Sequence, residues 1–294
     1  MSLFASLSQS AGTSLNPSLN DAVFPLGRGL QSWTTLQSAS DALPISDATF
    51  RSTKNIKVLA HDTVASPEPN SRPAMLAVFP KGSCSLSNAS GGFSFYAPGP
   101  ENVDLTTAKE VTFGYSVMFE EGFQFNMGGK LPGLCECPPF LFIVGTHEVQ
   151  DGGDNEDVAT ACSGGHHDEG GWSVRSMWRT GGAGEMYTYL PTSFSANLVQ
   201  CHVPPFSTSN STYGTSVGRG SFFFQPGDWT TVVQRMRLND AGQENGELEV
   251  IVNGQSKMNV SGLVLRSSEA GRIRGMQIQT FFGGLSSLPC VARN

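Results

Sequence analysis

Charge is scarce in this chain, and positive charge is scarcer than negative charge. Charged side chains make up 15% of the 294 residues, and 25 acidic against 18 basic residues give a net charge of −7. General nucleic-acid-binding proteins carry an excess of positive charge, so the composition argues against that class. A local basic groove stays open as an interpretation, because Lys130, Arg175 and Arg179 could still cluster in the folded chain.

Long hydrophobic runs are also missing, and no stretch keeps a helical period. The first absence argues against a membrane span, and the second argues against a helical bundle. Residues 1–20 have neither a charged region nor a long apolar run, so they do not predict a signal peptide. Sequons at Asn88, Asn210 and Asn259 nevertheless fit a secreted protein.

A metal-binding cysteine pattern is absent as well. The six cysteines are Cys84, Cys135, Cys137, Cys162, Cys201 and Cys290. Cys135 and Cys137 form a C-x-C pair without a second pair, which matches no zinc site. A bridge between Cys162 and Cys201 is one possibility, and free buried thiols are the other.

What the chain does contain is a series of short β-strand patterns separated by glycine and proline turns. Strands are predicted at 111–119, 221–224, 229–238, 247–252, 257–265 and 273–282, and residues 140–144 form a short apolar run. Asn253-Gly254 predicts a type I′ hairpin turn. We therefore expect an all-β fold, a two-sheet antiparallel sandwich or β-jelly roll. The expected division is an irregular segment at 1–50 and a single domain at 51–294.

The segment from Trp172 to Pro191 is unusually polar for a predicted hairpin. Alternate side chains of a strand share one face, which groups Ser173, Arg175, Met177 and Arg179, and separately Glu185, Tyr187 and Tyr189. If the intervening turn has an odd number of residues, both groups lie on the same surface. A hydroxyl, a guanidinium and two phenols would form a poor core but a good site for an anionic, ring-shaped ligand.

Lys130 lies in a glycine-rich stretch, Gly128-Gly-Lys-Leu-Pro-Gly133. Flanking glycines would let the backbone approach a ligand closely and present the ammonium group. The alternative interpretation is a tight turn with a solvated lysine, and the spacing alone does not separate the two.

Several motifs together resemble polysaccharide lyase family 14, and its fungal members in particular. The motifs are GGKLPGL at 128–134, Ser173-x-Arg175, Tyr187-x-Tyr189, YGTSVGRGSF at 213–222 and QTFFGG from residue 279. The resemblance covers 111–134 and 162–284. It implies a β-jelly roll that cleaves uronic-acid polysaccharides such as alginate or glucuronan by β-elimination, without an organic cofactor.

The same resemblance implies five catalytic residues: Lys130, Ser173, Arg175, Tyr187 and Tyr189. β-Elimination removes a proton beside a carboxylate, so cations must neutralise that carboxylate. Arg175 and Lys130 would do so with help from Ser173, while Tyr187 or Tyr189 would act as base and then as acid. We expect the nearby cations to lower the phenol pKa from its ordinary value of about 10.

Further side chains are expected to extend a sugar-binding cleft. They are Arg179, Arg219, Gln277 and Gln279, although Arg219 could equally form a structural ion pair. Trp178 and Trp229 are expected in the core rather than as sugar-stacking platforms.

No metal site is predicted, although two segments invite one. His166 to Glu169 is interpreted as a solvated turn, with a histidine base as the alternative. The acidic stretch at 151–157 lacks the regular spacing of a Ca²⁺ loop and is also interpreted as solvated.

The chain departs from the family pattern at two places. Residues 135–151 intervene directly after the lysine motif, and we expect this insertion to disorder a loop bearing Lys130. Residues 285–294 do not have the pattern of the further strand that the family usually has here, which would leave an exposed sheet edge and gives the C-terminus a truncated appearance.

The sequence therefore predicts a carbon–oxygen lyase acting on an anionic polysaccharide. The expected protein is a monomer, extracellular by the resemblance, without nucleic-acid or membrane partners. The alternatives are a non-catalytic jelly roll that binds acidic glycans, and a lyase inactivated by its insertion or its C-terminus. A hydrolase is disfavoured because no suitably placed carboxylate pair is evident.

Overall fold

The computed structural model confirms a two-sheet antiparallel sandwich. It describes residues 2–4, 19–52, 62–65, 73–80, 83, 91–135, 165, 167 and 169–283. Each sheet has seven strands, and the chain crosses repeatedly from one sheet to the other, as in a jelly roll.

We call the first layer the support sheet. Its strand order is β13-β12-β11-β5-β1-β3-β2. In chain order these strands are β1 (Ser2–Phe4), β2 (Asp62–Ala65), β3 (Pro73–Leu76), β5 (Glu110–Met118), β11 (Trp229–Arg237), β12 (Gly246–Val252) and β13 (Gln255–Leu263).

The second layer, the cleft sheet, carries the candidate site. Its strand order is β4-β14-β6-β7-β8-β10-β9. The strands are β4 (Phe93–Ala97), β6 (Gly128–Cys135), β7 (Ser173–Arg179), β8 (Ala183–Tyr189), β9 (Thr208–Ser209), β10 (Thr215–Phe223) and β14 (Gly275–Gly283). Short helices are α1 (Leu19–Val23), α2 (Asp47–Phe50) and the 3-10 segments Leu105–Thr107, Thr180–Gly182 and Ser195–His202.

Apolar side chains of both sheets meet in one core. Trp178 is fully buried there, with ring centroids of Phe119 and Phe282 each 5.3 Å from its own. The expectation that Trp178 belongs to the core is confirmed. Trp229 is half-buried on the support sheet, away from the site.

The predicted strands from 229 to 282 agree with the structure within about two residues. Asn253 and Gly254 have φ angles of 50° and 77°, as a type I′ turn requires. β10 begins at Thr215, six residues before the predicted 221. The short apolar run at 140–144 lies outside the described residues.

Lys130 lies inside β6, with hydrogen-bonded neighbours β7 and β14 on both sides. The tight-turn alternative and the expectation that Lys130 lies in a loop are therefore wrong, whereas the expected effect of the insertion stays a prediction. Apart from Cys135, the insertion lies outside the described residues, as do residues 284–294. β14 is likewise flanked by β4 and β6, so it leaves no exposed edge.

Cys201 is a free thiol, so the bridge between Cys162 and Cys201 is wrong. Cys135 is disulfide-bonded. No helix among the described residues is long and apolar enough to cross a membrane.

Candidate active site

The turn between β7 and β8 has three residues, Thr180–Gly182, which is an odd number. The register therefore places Ser173 opposite Tyr189 and Arg175 opposite Tyr187. All four side chains project from the same face of the cleft sheet, as the alternation of the sequence predicted.

Lys130 joins this face from the neighbouring strand. Its residue pairs with Met177 of β7, and its Nζ lies 3.7 Å from the ring centroid of Tyr187. The side chain is buried, at 8% exposure, and Nζ has no hydrogen-bond partner within the described part of the chain. A buried amine with an unused hydrogen-bonding position is available for chemistry.

The glycines around Lys130 serve close packing. A Cβ atom on Gly129 would lie 2.0 Å from the Trp178 ring, and one on Gly133 would lie 2.0 Å from the carbonyl oxygen of Val174. The strand register also shifts between Lys130 and Gly133, which marks a β-bulge. The glycines thus allow β6 to pack closely against β7. The Lys130 side chain lies on the cleft face, next to the bulge.

Arg175 is held from the side of β14. Its Nη1 donates to Gln279 Oε1 at 2.8 Å, and Gln279 Nε2 donates to Ser94 Oγ at 3.1 Å. Gln277, predicted with Gln279 to bind substrate, donates to the Tyr96 hydroxyl at a longer 3.4 Å. Both glutamines lie in the cleft sheet, and Gln279 acts on Arg175 directly.

The two tyrosines differ in their surroundings. Their ring centroids are 5.8 Å apart, and Tyr187 is half-buried while Tyr189 is 3% exposed. The Tyr189 hydroxyl accepts a hydrogen bond from the Gly165 backbone N–H at 3.2 Å, and the His167 ring lies 5.1 Å away between centroids. Tyr189 is thus contacted by Gly165 and His167.

Glu169 is held in place by Thr192 and Ser193. Its two carboxylate oxygens accept hydrogen bonds from the backbone N–H and hydroxyl groups of Thr192 and Ser193, at 2.5–3.0 Å. These donors hold the pKa of the Glu169 carboxyl below its usual value, although partial burial opposes them. His167 is exposed, whereas His166 and Asp168 lie outside the described residues.

Arg179 and Arg219, both predicted to bind substrate, share one carboxylate. Arg179 Nε donates to one oxygen of Glu185 and Arg219 Nε to the other, each at 2.7 Å. The alternative interpretation of Arg219 as an ion-pair residue therefore holds. Both arginine side chains keep part of their surface exposed.

Burial dominates the electrostatics of Tyr187. Loss of water raises the pKa of Tyr187 to about 12, helped by Tyr189 and Glu185, and outweighs the opposing effect of Arg179 and Arg175. The two arginines act in the expected direction, but the expected net lowering of the phenol pKa is wrong for Tyr187, because burial outweighs them.

The pKa of Lys130 is shifted in the opposite direction. Burial first, and then repulsion from Arg175 and Arg179, hold the pKa of Lys130 well below its ordinary value, against an opposing effect of Glu185. The site thus pairs a lysine that loses its proton readily with a tyrosine that retains its proton.

The described residues form no cluster of metal-binding side chains. Within the described ranges, no group of three or more His, Cys, Asp or Glu side chains could hold a metal ion. The acidic stretch at 151–157 lies outside those ranges.

Three contributors to the site were not predicted from the sequence: Ser94, the backbone of Gly165 and the carboxylate of Glu185. The position of Glu185 on the tyrosine face was visible from alternation alone. Nothing in the sequence pairs Ser94 or Gly165 with the hairpin, because these contacts depend on tertiary packing.

Comparisons with known proteins show the family and the fold of this chain. The family model polysaccharide lyase 14 matches residues 67–288. The chain is similar to the crystal structure of a marine PL-14 alginate lyase from Aplysia kurodai, at 31% identity and a TM-score of 0.60, covering 76% of this chain and 79% of that one. An alginate lyase from Chlorella virus shares the fold at 23% identity and a TM-score of 0.58, over 80% and 85% of the two chains. None of the curated proteins matches the chain.

Proposed function

Because this chain belongs to the polysaccharide lyase 14 family and is a polysaccharide lyase, we propose that it cleaves a uronic-acid polysaccharide by β-elimination. The similar Aplysia kurodai protein is an alginate lyase, so alginate is our first candidate substrate and glucuronan the second. Polysaccharide chains do not cross membranes unaided. We therefore place the reaction outside the cell.

Arg175 is the residue proposed to bind the uronate carboxylate. Its planar guanidinium matches a carboxylate, and its hydrogen bond to Gln279 fixes its orientation before substrate arrives. Removing the proton at C5 pushes negative charge onto this carboxylate, which a fixed cation stabilises. Ser173, in the same row of the sheet as Tyr189, adds a hydroxyl donor.

The observation that carries the mechanism is the contact between Lys130 and Tyr187, whose pKa values are shifted in opposite directions. Groups whose environments separate their pKa values are suited to divide base and acid roles. We therefore assign the base to Lys130 and the acid to Tyr187. This replaces the expectation that a tyrosine is the base and Lys130 only a neutralising charge.

In the proposed reaction the neutral amine of Lys130 takes the C5 proton. The electron pair of the C5–H bond forms the C4=C5 double bond, and the bond between C4 and its glycosidic oxygen breaks. The Tyr187 hydroxyl donates its proton to the departing oxygen. Proton exchange with water then returns Lys130 to the amine and Tyr187 to the phenol.

Ultraviolet absorbance of the new double bond tests this function. We expect it to rise when the protein acts on polymannuronate or polyguluronate, or failing those on glucuronan, and to stay flat in Lys130→Ala. A flat trace on all three polymers with folded wild-type protein would contradict the proposal and favour a protein that only binds acidic glycans.

A further inference from the structure

Glu185 is a buried acid for which the proposed reaction has no step. Its side chain is 0% exposed, and it lies two residues from Tyr187 on the same face of β8. A carboxylate without access to water is stable only when it is paired and hydrogen-bonded.

Both oxygens of Glu185 are paired. One accepts from Arg179, with a closest approach of 2.5 Å. The other accepts from Arg219 Nε at 2.7 Å and from Ser216 Oγ at 2.5 Å, while Arg219 Nη2 donates to the same serine at 3.0 Å. Strands β7, β8 and β10 are thereby joined through one carboxylate.

The Glu185 cluster reaches the reacting groups through Arg179. The Arg179 guanidinium carbon lies 5.4 Å from the Tyr187 ring centroid, and Lys130 Nζ lies 3.7 Å from the same centroid. In the sheet register, Lys130 pairs with Met177 and Met177 with Glu185, so these residues share one row. Two strand spacings separate Lys130 from Glu185, which is about 10 Å.

We propose that Glu185 is a positioning residue that holds Arg179 against Tyr187 and, as a fixed negative charge, sets the proton affinities of Lys130 and Tyr187. This inference rests on the proposed assignment of these two residues as base and acid. Without Glu185, Arg179 would act on Lys130 as an uncompensated cation, Arg219 would lose its ion-pair partner, and the positive charge of the cluster would rise by one.

The sign of the effect follows from the charges around the pair. Among the described residues, the groups concerned are Arg175, Arg179, Arg219, Glu185, Tyr189 and the pair itself. Glu185 favours the ammonium form of Lys130 and disfavours the phenolate form of Tyr187. Removing its charge therefore lowers both pKa values.

The first test is the near-isosteric variant Glu185→Gln. In a profile of kcat/KM against pH, the rising limb should move about one pH unit toward acid, from Coulomb's law at about 10 Å and an effective dielectric of about 20. The falling limb should move in the same direction. Glu247→Gln is the matched control, because it removes an arginine-paired carboxylate from the support sheet, and its profile should not move.

A second measurement does not depend on activity. The Cε resonance of Lys130 in lysine-labelled protein, assigned by its loss in Lys130→Arg, reports the Lys130 pKa directly. We expect Glu185→Gln to lower this pKa and Arg219→Gln, at a more exposed position, to raise it. If neither variant moves it, the proposal is overturned even when the enzyme is active; if wild-type protein cleaves no uronan, the same titration still tests it.

Should Glu185→Gln fail to fold, Arg219→Gln decides alone. A rise in the Lys130 pKa would support the cluster as the source of the field at Lys130. An unchanged value in folded Arg219→Gln protein would contradict it.

Discussion

At the scale of single residues, a substitution of Lys130 distinguishes two mechanisms. In one Lys130 is the base, and in the other it acts only by its charge while a tyrosine is the base. Arginine in its place keeps a positive charge but cannot release a proton at working pH, so it cannot act as a base. We expect Lys130→Arg to reduce kcat/KM by about 10²–10⁴ in the absorbance assay. Lys109→Arg, at an exposed lysine, serves as the control. If Lys130→Arg stays within about tenfold of wild type, the lysine acts by its charge and a tyrosine is the base.

Gln279 is the residue expected to position Arg175. Gln279→Leu removes the acceptor of the 2.8 Å hydrogen bond that orients the Arg175 guanidinium. We expect kcat/KM to fall by about tenfold to a hundredfold, because small misplacements of binding groups are costly. Gln255→Leu, at an exposed position of β13, is the control. Equal kinetics in the two variants would show that Arg175 is oriented by other contacts.

The sequence was enough to predict which side chains share one face of the sheet, whereas it did not predict their pKa values. Side-chain alternation placed Ser173, Arg175, Tyr187 and Tyr189 together, since a period of two is fixed by strand geometry. The shift at Tyr187 depends on how much water the fold removes from the phenol, and burial there exceeds the effect of the cations. The sequence shows which residues are charged. It does not show the distances between them or their burial, and these decide how far each pKa shifts.

At the scale of elements, the three-residue turn between β7 and β8 sets the register of the site. Gly181 and Gly182 have φ angles of 73° and 81°, a region that favours glycine. A Cβ on Gly182 would lie 2.4 Å from the Phe224 carbonyl oxygen, whereas one on Gly181 would meet nothing within 4 Å. Alanine at either position would therefore cause similar backbone strain, but only alanine at Gly182 would also clash with a neighbouring atom.

We expect Gly181→Ala to reduce the free energy of unfolding by about 1–2 kcal/mol and Gly182→Ala to reduce it by about 2 kcal/mol more. Urea unfolding measures both. Similar losses would show that the turn relaxes away from Phe224 at little cost.

β6 shows why one element was predicted wrongly. Glycine and proline normally indicate turns, so a tight turn stayed open as one of two interpretations of GGKLPG, and no strand was predicted there. Here the glycines accommodate Trp178 and the Val174 carbonyl from neighbouring structure, contacts that no local pattern can express. Strands β5, β11, β12 and β13 of the support sheet were predictable, because alternating apolar residues indicate burial on one face only. Strands β1, β2 and β3 were not predicted.

At the scale of the whole molecule, the site costs stability. A buried lysine beside Arg175 and Arg179 is disfavoured, so we expect Lys130→Met to abolish activity while raising the free energy of unfolding by about 1–3 kcal/mol at neutral pH. The lowered folded-state pKa means that the unfolded chain binds more protons between that pKa and about 10.5. Wild-type stability relative to the variant should therefore rise with pH across this window.

Thermal melting of wild type and Lys130→Met at several pH values checks this prediction. The gap between their melting temperatures should narrow as pH rises toward about 10.5. A gap that stays constant with pH would mean that the lysine keeps its proton in the folded protein. Lys109→Met controls for loss of a lysine at an exposed position.

The place of β14 between β4 and β6 has a consequence for synthesis on the ribosome. Arg175 leaves the exit tunnel 104 residues ahead of Gln279, its hydrogen-bond acceptor. Until β14 emerges, the edge of β6 beside Lys130 is unpaired in the nascent chain, and such edges invite association with other chains. The face that carries the proposed catalytic residues therefore becomes complete only late in translation, and β6 is the segment that a nascent-chain chaperone would need to cover.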